Sequence, residues 1–220
     1  MHDSINRLIS IEKEIQLENI NINKHFLPNI VAVSKTFPLT EILPLINHGH
    51  IHFGENKAQE GNEKWAEILN DFNHIKLHMI GKLQTNKVKA VIPIFDYIHS
   101  LDSLRLAQKI SNEQLKKNKN LKIFIQINIG KEDQKNGIEI EQLEGFYKIC
   151  KEDLGLNIIG LMCLPPKNVK DSMYFVLMQK LSENLGLNDL SMGMSNDYLS
   201  AYRNGATYLR IGSKIFGERT

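Results

Sequence analysis

Lys35 ends the apolar run Ile30-Val31-Ala32-Val33-Ser34, which begins soon after Pro28, and the chain then turns through Thr36-Phe37-Pro38. Five apolar or small residues in a row read as a buried strand, so the amine stands where that strand leaves its sheet. A primary amine held there partly out of water has a lowered pKa, and the free base can attack a carbonyl to form a Schiff base. A lysine at a strand end is also an ordinary solvated rim charge, so the rest of the chain must decide between the two readings. Two other segments carry a different chemistry. Ser191-Met192-Gly193-Met194-Ser195-Asn196-Asp197 and Leu209-Arg210-Ile211-Gly212-Ser213-Lys214-Ile215-Phe216-Gly217 each join a strand-like run to a helix start. Ser195 suits an N-cap, Gly193 and Gly212 let backbone N–H groups approach a ligand closely, and helix N-termini favour anions. Together they would cradle a phosphate; the plainer reading is that Ser195 caps its helix and Gly212 turns the chain.

These groups can act together only if the fold brings them to one edge. After an amphipathic helix over roughly residues 3 to 24, strand patterns fall at Ile30 to Ser34, Ile51 to Phe53, Ile75 to Ile80, Tyr97 to His99, Ile123 to Ile127, Ile158 to Met162, Leu190 to Met192 and Tyr208 to Ile211. Helical patterns lie between them near 39 to 47, 57 to 70, 84 to 91, 103 to 117, 139 to 151, 168 to 185 and 196 to 203. Eight strands alternating with helices predict an α/β fold, a single (β/α)8 TIM barrel, with a doubly wound open sheet as the alternative. No linker, repeat or Pro/Gly/Ser-rich boundary divides the chain, so residues 1–220 read as one domain. In a closed barrel the first strand adjoins the eighth, and the loops after strands 7 and 8 are a recurrent phosphate site. The second, third and fourth strands also end in polar groups, Gly54-Glu55-Asn56, Gly81-Lys82-Leu83-Gln84 and Ser100-Leu101-Asp102, which belong on the same rim.

A net charge of +2 with 24% charged residues offers no polyanion-binding surface, so nucleic acid is not an expected partner. Cys150 and Cys163 lie outside any CxxC pattern. The first residues carry Asp3, Arg7, Glu12, Lys13 and Glu14 with no apolar signal segment, and no apolar run reaches the length of a membrane span. A reducing, cytoplasmic setting is therefore expected, with no membrane partner. The eight histidines show no repeated spacing, and His50-x-His52 lacks a third ligand, so no metal set is expected.

An amine on strand 1 beside a phosphate cradle from strands 7 and 8 calls for a ligand with an aldehyde at one end and a phosphate at the other. Pyridoxal 5′-phosphate has both. Arg210, on the last strand before Gly212, could donate to its ring nitrogen, which would leave that nitrogen largely unprotonated and weaken the electron sink used in carbanion chemistry. The plainer reading of Arg210 is a structural ion pair.

The segments Val31-Ala32-Val33-Ser34-Lys35-Thr36, Phe53-Gly54-Glu55-Asn56, His78-Met79-Ile80-Gly81-Lys82-Leu83-Gln84-Thr85-Asn86-Lys87, Ser191-Met192-Gly193-Met194-Ser195 and Arg210-Ile211-Gly212-Ser213 closely resemble the pyridoxal phosphate homeostasis protein family, in order and spacing. The resemblance implies a fold like the N-terminal barrel of alanine racemase, with Lys35 as the lysine that forms the aldimine. It further implies phosphate contacts from Ser195, Gly212 and Ser213, a ring-nitrogen contact from Arg210, and Asn56 near the ring. It implies a role in vitamin B6 and amino-acid homeostasis without catalytic turnover, no catalytic residue, and a monomer that could deliver its cofactor to pyridoxal phosphate-dependent apo-enzymes. Lys135, in the loop after the fifth strand, could assist that transfer or be a solvated loop lysine. Two positions depart from the pattern: Lys57 stands where an aromatic residue is common, and Lys214 where a small one is, either beside the cradle or pointing outward. Alanine racemase-type enzymes draw a second acid/base from a further β domain, and no counterpart of that domain is expected here. The competing expectation is a small racemase or lyase taking that group from the barrel, with His52, His78, His99, Cys163 or Tyr198 as donor, although each also reads as a packing residue.

Overall fold

Short runs rich in Ile, Val, Leu and aromatic residues, buried almost throughout, suit parallel strands covered on both faces. In the computed structural model, which describes residues 2–132, 136–166 and 171–218, they do form such a sheet, and it closes on itself. The order is α1 (Asp3–Ile22), β1 (Asn29–Val33), α2 (Leu39–Asn47), β2 (His52–Glu55), α3 (Ala58–Trp65), α4 (Ile68–Asp71), β3 (Lys76–Met79), α5 (Val88–Val91) and β4 (Tyr97–Leu101). It continues with α6 (Leu104–Lys117), β5 (Lys122–Ile127), α7 (Leu143–Lys148), β6 (Ile158–Cys163), α8 (Asp171–Asn184), β7 (Asp189–Ser191), α9 (Tyr198–Arg203), β8 (Tyr208–Ile211) and α10 (Ser213–Phe216). Every strand is parallel to its neighbours, and β8 pairs with β1 through Val31 opposite Arg210 and Ala32 opposite Ile211. The open-sheet alternative is thereby excluded.

All eight expected strands are present, with shifted ends. β2 starts at His52 rather than Ile51 and runs on to Glu55, which carries that carboxylate into the barrel wall. β4 continues to Leu101 through a register shift against β5. The helical pattern over 57 to 70 divides into α3 and α4, and the pattern over 139 to 151 ends in a π turn over Ile149–Asp153. The first helix stops at Ile22 because Asn23 takes the left-handed conformation, φ 49°, that closes a helix C-terminus. Among the described residues no helix is long and apolar enough to cross a membrane.

Two cores hold the barrel. The larger fills the space between strands and helices, where Leu8, Ile11 and Ile15 bring the inner stripe of α1 onto it at spacings of three and four. Trp65 of α3 is wholly buried, its ring 5.1 Å from Phe53 of β2, and truncating a side chain of that size costs about 3–5 kcal/mol. The smaller core lies inside the barrel: Val31, Tyr97, Phe124, Met162 and Tyr208. His78, His99 and Arg210 are buried in the same interior, His78 stacked 4.1 Å from Tyr97 and His99 4.4 Å from Phe124. A polar barrel centre is costly unless every polar group finds a partner, and the hydrogen bonds described below supply them.

Candidate functional site

β1 delivers Lys35 to the C-terminal rim, half-buried, and both of its sequence neighbours are tied to α3. Ser34 is buried and donates its hydroxyl to Glu55 Oε1 at 2.7 Å. Lys64 Nζ donates to the Ser34 carbonyl at 2.9 Å, to Glu55 Oε1 at 3.0 Å and to Glu60 Oε1 at 3.2 Å. Trp65 Nε1 adds a third donor to this knot, 3.0 Å from Glu55 Oε1. On the other side of Lys35, Thr36 has φ 68°, a left-handed conformation that a β-branched residue adopts only under constraint, and its N–H donates to Glu60 Oε1 at 2.5 Å. Burial would raise the Glu60 carboxyl, but the Thr36 N–H and the Lys64 ammonium outweigh it and hold the group below the usual carboxylate range. Phe37 then stacks on Phe216 of α10 at 4.9 Å, joining the Lys35 loop to the end of the chain's last strand unit. Sequence reasoning placed Glu55 on the rim but missed Glu60 and Lys64. Their four-residue spacing is a helix ion-pair signal and could have flagged them, though not their target.

β7 and β8 present the second group. Ser213 Oγ donates to Ser195 Oγ at 3.1 Å, and the Lys214 backbone N–H donates to the same oxygen at 3.3 Å. Ser195 does not cap α9. That helix starts at Tyr198, after a turn in which Asp197 Oδ1 accepts the Met194 N–H at 2.5 Å, and the turn leaves the Ser195 hydroxyl to the β8 loop. Gly193 is required by packing: its φ is 91°, and a Cβ there would lie 2.5 Å from that of Ala201. Gly212 lies against Val33 at the end of β1, which sets the cradle beside the Lys35 loop. Lys214 turns away from the cradle, its ammonium donating to Glu14 at 3.0 Å and to Tyr198 Oη at 2.6 Å.

Arg210 is buried inside the barrel, where Nη1 donates to Ser191 Oγ at 2.5 Å and Nη2 to the Cys163 carbonyl at 2.9 Å. Burial draws its pKa below the ordinary value, partly offset by Cys163 and Asp197. Below it, His99 Nδ1 lies 2.7 Å from Ser191 Oγ, His78 Nδ1 2.9 Å from His99 Nε2, and His52 Nδ1 2.9 Å from His78 Nε2. Burial pulls His78 and His99 well below the usual imidazole range and His52 down to about 4. Asn56 follows β2, half-buried, its position set by Gly81: a Cβ at 81 would lie 2.2 Å from the Asn56 carbonyl oxygen.

The structure therefore gathers Ser195, Ser213, Gly212, Arg210, Lys35 and Asn56 along four successive strands, β7, β8, β1 and β2. An amine, two hydroxyls with a backbone N–H, and a buried guanidinium suit a ligand carrying a carbonyl, an anion and an acceptor nitrogen. The acid/base candidates are bonded elsewhere or buried. His52, His78 and His99 bond to one another inside the barrel, Cys163 is buried with its carbonyl bonded to Arg210, and Tyr198 Oη donates to Glu14. His50 precedes β2 and its Nε2 meets the His52 carbonyl at 2.9 Å. Among the described residues no group of three or more His, Cys, Asp or Glu could hold a metal ion. Lys57 is exposed ahead of α3, and Lys135 lies outside the described residues.

Comparison with known proteins adds a sequence and a structural finding. The family described as alanine racemase, N-terminal domain, matches residues 16–220. The chain is 38% identical over 199 residues to the pyridoxal phosphate homeostasis protein of Aquifex aeolicus, covering 86% of each chain. It is 36% identical over 220 residues to that of Haemophilus influenzae, covering 95% of this chain and 91% of the other. Among solved structures it resembles PipY of Synechococcus elongatus without pyridoxal phosphate, with a TM-score of 0.88, 29% identity, and 98% of this chain and all (100%) of that one covered. The same protein with pyridoxal phosphate bound matches with a TM-score of 0.79 and 30% identity over 92% of this chain and 100% of that one.

Proposed function

Because this chain belongs to the pyridoxal phosphate homeostasis protein family, built on the alanine racemase N-terminal barrel, we infer that it binds pyridoxal 5′-phosphate through Lys35 and acts in vitamin B6 and amino-acid homeostasis. The observation that carries this reading is the closure of β8 onto β1, with Gly212 against Val33, since it brings the Ser195–Ser213 cradle beside the strand that ends at Lys35. When bound, the cofactor supplies an aldehyde that condenses with a primary amine and a ring that can draw electrons from it. Lys35 is the amine, held by the ties on Ser34 and Thr36 that keep its backbone from swinging. Ser195, Ser213 and the Lys214 N–H would receive the phosphate, with Gly212 leaving room for it. Arg210 would donate to the ring nitrogen; as a permanent cation that cannot give up its proton, it keeps that nitrogen unprotonated. Asn56 would border the ring.

Turnover is not part of the proposed role. Of the residues that could serve as a second acid/base, the histidines are bonded to one another in the barrel interior, Cys163 is buried in the core between strands and helices, and Tyr198 donates to Glu14, while an unprotonated ring nitrogen is a weak electron sink. The protein would instead hold the cofactor as a monomer and pass it to apo-enzymes. Borohydride reduction of the pigmented protein followed by peptide mapping tests the central claim: the pyridoxyl group is expected on Lys35, and Lys35→Ala should remove the visible band. Label found mainly on another lysine would overturn it. Purified protein should racemise or transaminate no common amino acid; robust turnover lost in Lys35→Ala would favour the small racemase or lyase instead.

A further inference from the structure

The polar interior of the barrel is a single file of hydrogen bonds with a donor-only residue at one end. Arg210 has no acceptor atom, so Ser191 Oγ must accept from Nη1. The Ser191 hydroxyl hydrogen then has one bonded acceptor among the described residues, His99 Nδ1 at 2.7 Å. A neutral imidazole that accepts at one nitrogen carries its hydrogen on the other, so His99 donates from Nε2 to His78 Nδ1. The same logic makes His78 donate from Nε2 to His52 Nδ1, and leaves His52 Nε2–H as the last donor, at the N-terminal end of β2. The file therefore crosses the barrel from its opposite end to the rim, along β2, β3, β4, β7 and β8, with every bond pointing away from Arg210.

Resting on the proposed role of Arg210 toward pyridoxal phosphate, we propose that Ser191, His99, His78 and His52 are positioning residues: a one-way hydrogen-bond chain that fixes the Arg210 guanidinium as donor to the cofactor's ring nitrogen. Each ring is locked by its neighbours' side chains as well as by its bonds, His78 between Tyr97 and Tyr208 and His99 against Phe124. Arg210, with Nη1 held by Ser191 and Nη2 by the Cys163 carbonyl, cannot rotate without breaking the first link of the file. Burial keeps the three rings neutral, as the directionality requires. Reversing one ring would set two N–H groups, or two bare nitrogens, face to face in a buried space, so the chain reverses as a whole or not at all.

Two measurements test this. The first needs no cofactor: long-range proton–nitrogen spectra of histidine-labelled, cofactor-free protein, assigned with single His→Gln variants, report which nitrogen of each ring bears hydrogen. His52, His78 and His99 are expected neutral with the hydrogen on Nε2; hydrogen on Nδ1 of His78 or His99 overturns the chain. The second compares pyridoxal phosphate with its analogue in which C–H replaces the ring nitrogen. Ser191→Ala should weaken pyridoxal phosphate about tenfold or more, the scale of a hydrogen bond to a charged group, and leave the analogue's affinity within about twofold. Ser191→Thr should restore the difference. Equal losses for both ligands would reduce Ser191 to a packing role and overturn the proposal. If wild-type protein binds neither ligand, the cofactor reading fails, while the nitrogen spectra still decide the chain.

Discussion

Lys64 Nζ stands 3.0 Å from Glu55 Oε1 where the carboxylate is wholly buried and the lysine side chain is only 10% exposed, and both hold Ser34, the residue before Lys35, Glu55 at its hydroxyl and Lys64 at its carbonyl. Glu55 Oε1 takes three donors, from Ser34, Lys64 and Trp65, whereas Oε2 is buried with no hydrogen-bond partner among the described residues. A buried carboxylate so lopsidedly served depends on its cation. Lys64→Met should therefore destabilise the fold by about 3–5 kcal/mol, the cost of stranding one buried charge, as measured by urea unfolding of cofactor-free protein. Lys131→Met, which breaks an exposed pair with Glu141, should leave the urea midpoint unchanged. Equal effects of the two substitutions would contradict the clamp.

The cradle predicts ligand discrimination. Pyridoxal, lacking the phosphate, should bind more weakly than its phosphate ester by roughly 2 kcal/mol or more, since each charge-assisted hydrogen bond is worth about 1.5–3 kcal/mol. Ser213→Ala and Ser195→Ala should each narrow that gap in a spectrophotometric titration. Equal affinity for pyridoxal and its phosphate in the wild type would remove Ser195 and Ser213 from the site.

Stability should fall as acid is added well above the carboxylate range. Burial holds His50 and His52 at about 4 and pulls His78 and His99 well below the usual imidazole value of 6.5. Between 6.5 and about 4 the unfolded chain therefore binds protons that the folded one refuses, so the contribution is whole above 6.5 and is lost on the way down to about 4. Each such histidine adds up to about 1.4 kcal/mol per pH unit to the slope. Urea midpoints at about pH 7 and about pH 5 check this, with the lower value expected in acid; a flat profile would mean that the rings accept protons in the fold.

Delivery makes a kinetic prediction. Holo-protein should reactivate a pyridoxal phosphate-dependent apo-enzyme even when a scavenger removes free cofactor, because direct transfer avoids release to solvent. If trapping free cofactor stops reactivation completely, the protein is a reservoir and not a donor. A Lys135→Ala variant with an unchanged transfer rate would remove the relay role of that lysine and leave the carrier role standing.

The place of Lys35 was legible because it rests on local rules: an apolar run long enough for one strand, a turn after it, and helix periodicity beyond. Strand count and the alternation with helices came from the same source and pointed to a barrel, but an open doubly wound sheet fitted the same pattern until the pairing of β8 with β1 excluded it. Ser195 shows where that reasoning stops. Its residue type suggested a helix cap, but the turn from Met194 to Asp197 takes over the start of α9 and hands the hydroxyl to Ser213, 18 residues on. Glu60 and Lys64 could be read as a helix pair, yet nothing local says that the pair grips the carbonyl of Ser34, 30 residues earlier. The histidine file is the extreme case. Its links span 26, 21 and 92 residues, and two-residue alternation can say that His78 shares a face with its neighbours in β3 but not whether that face is the barrel's inside. Local sterics and backbone hydrogen bonding make the elements, so short windows of sequence determine them; which side chains meet across the barrel is decided by strand register and closure, and these follow from packing the whole chain at once.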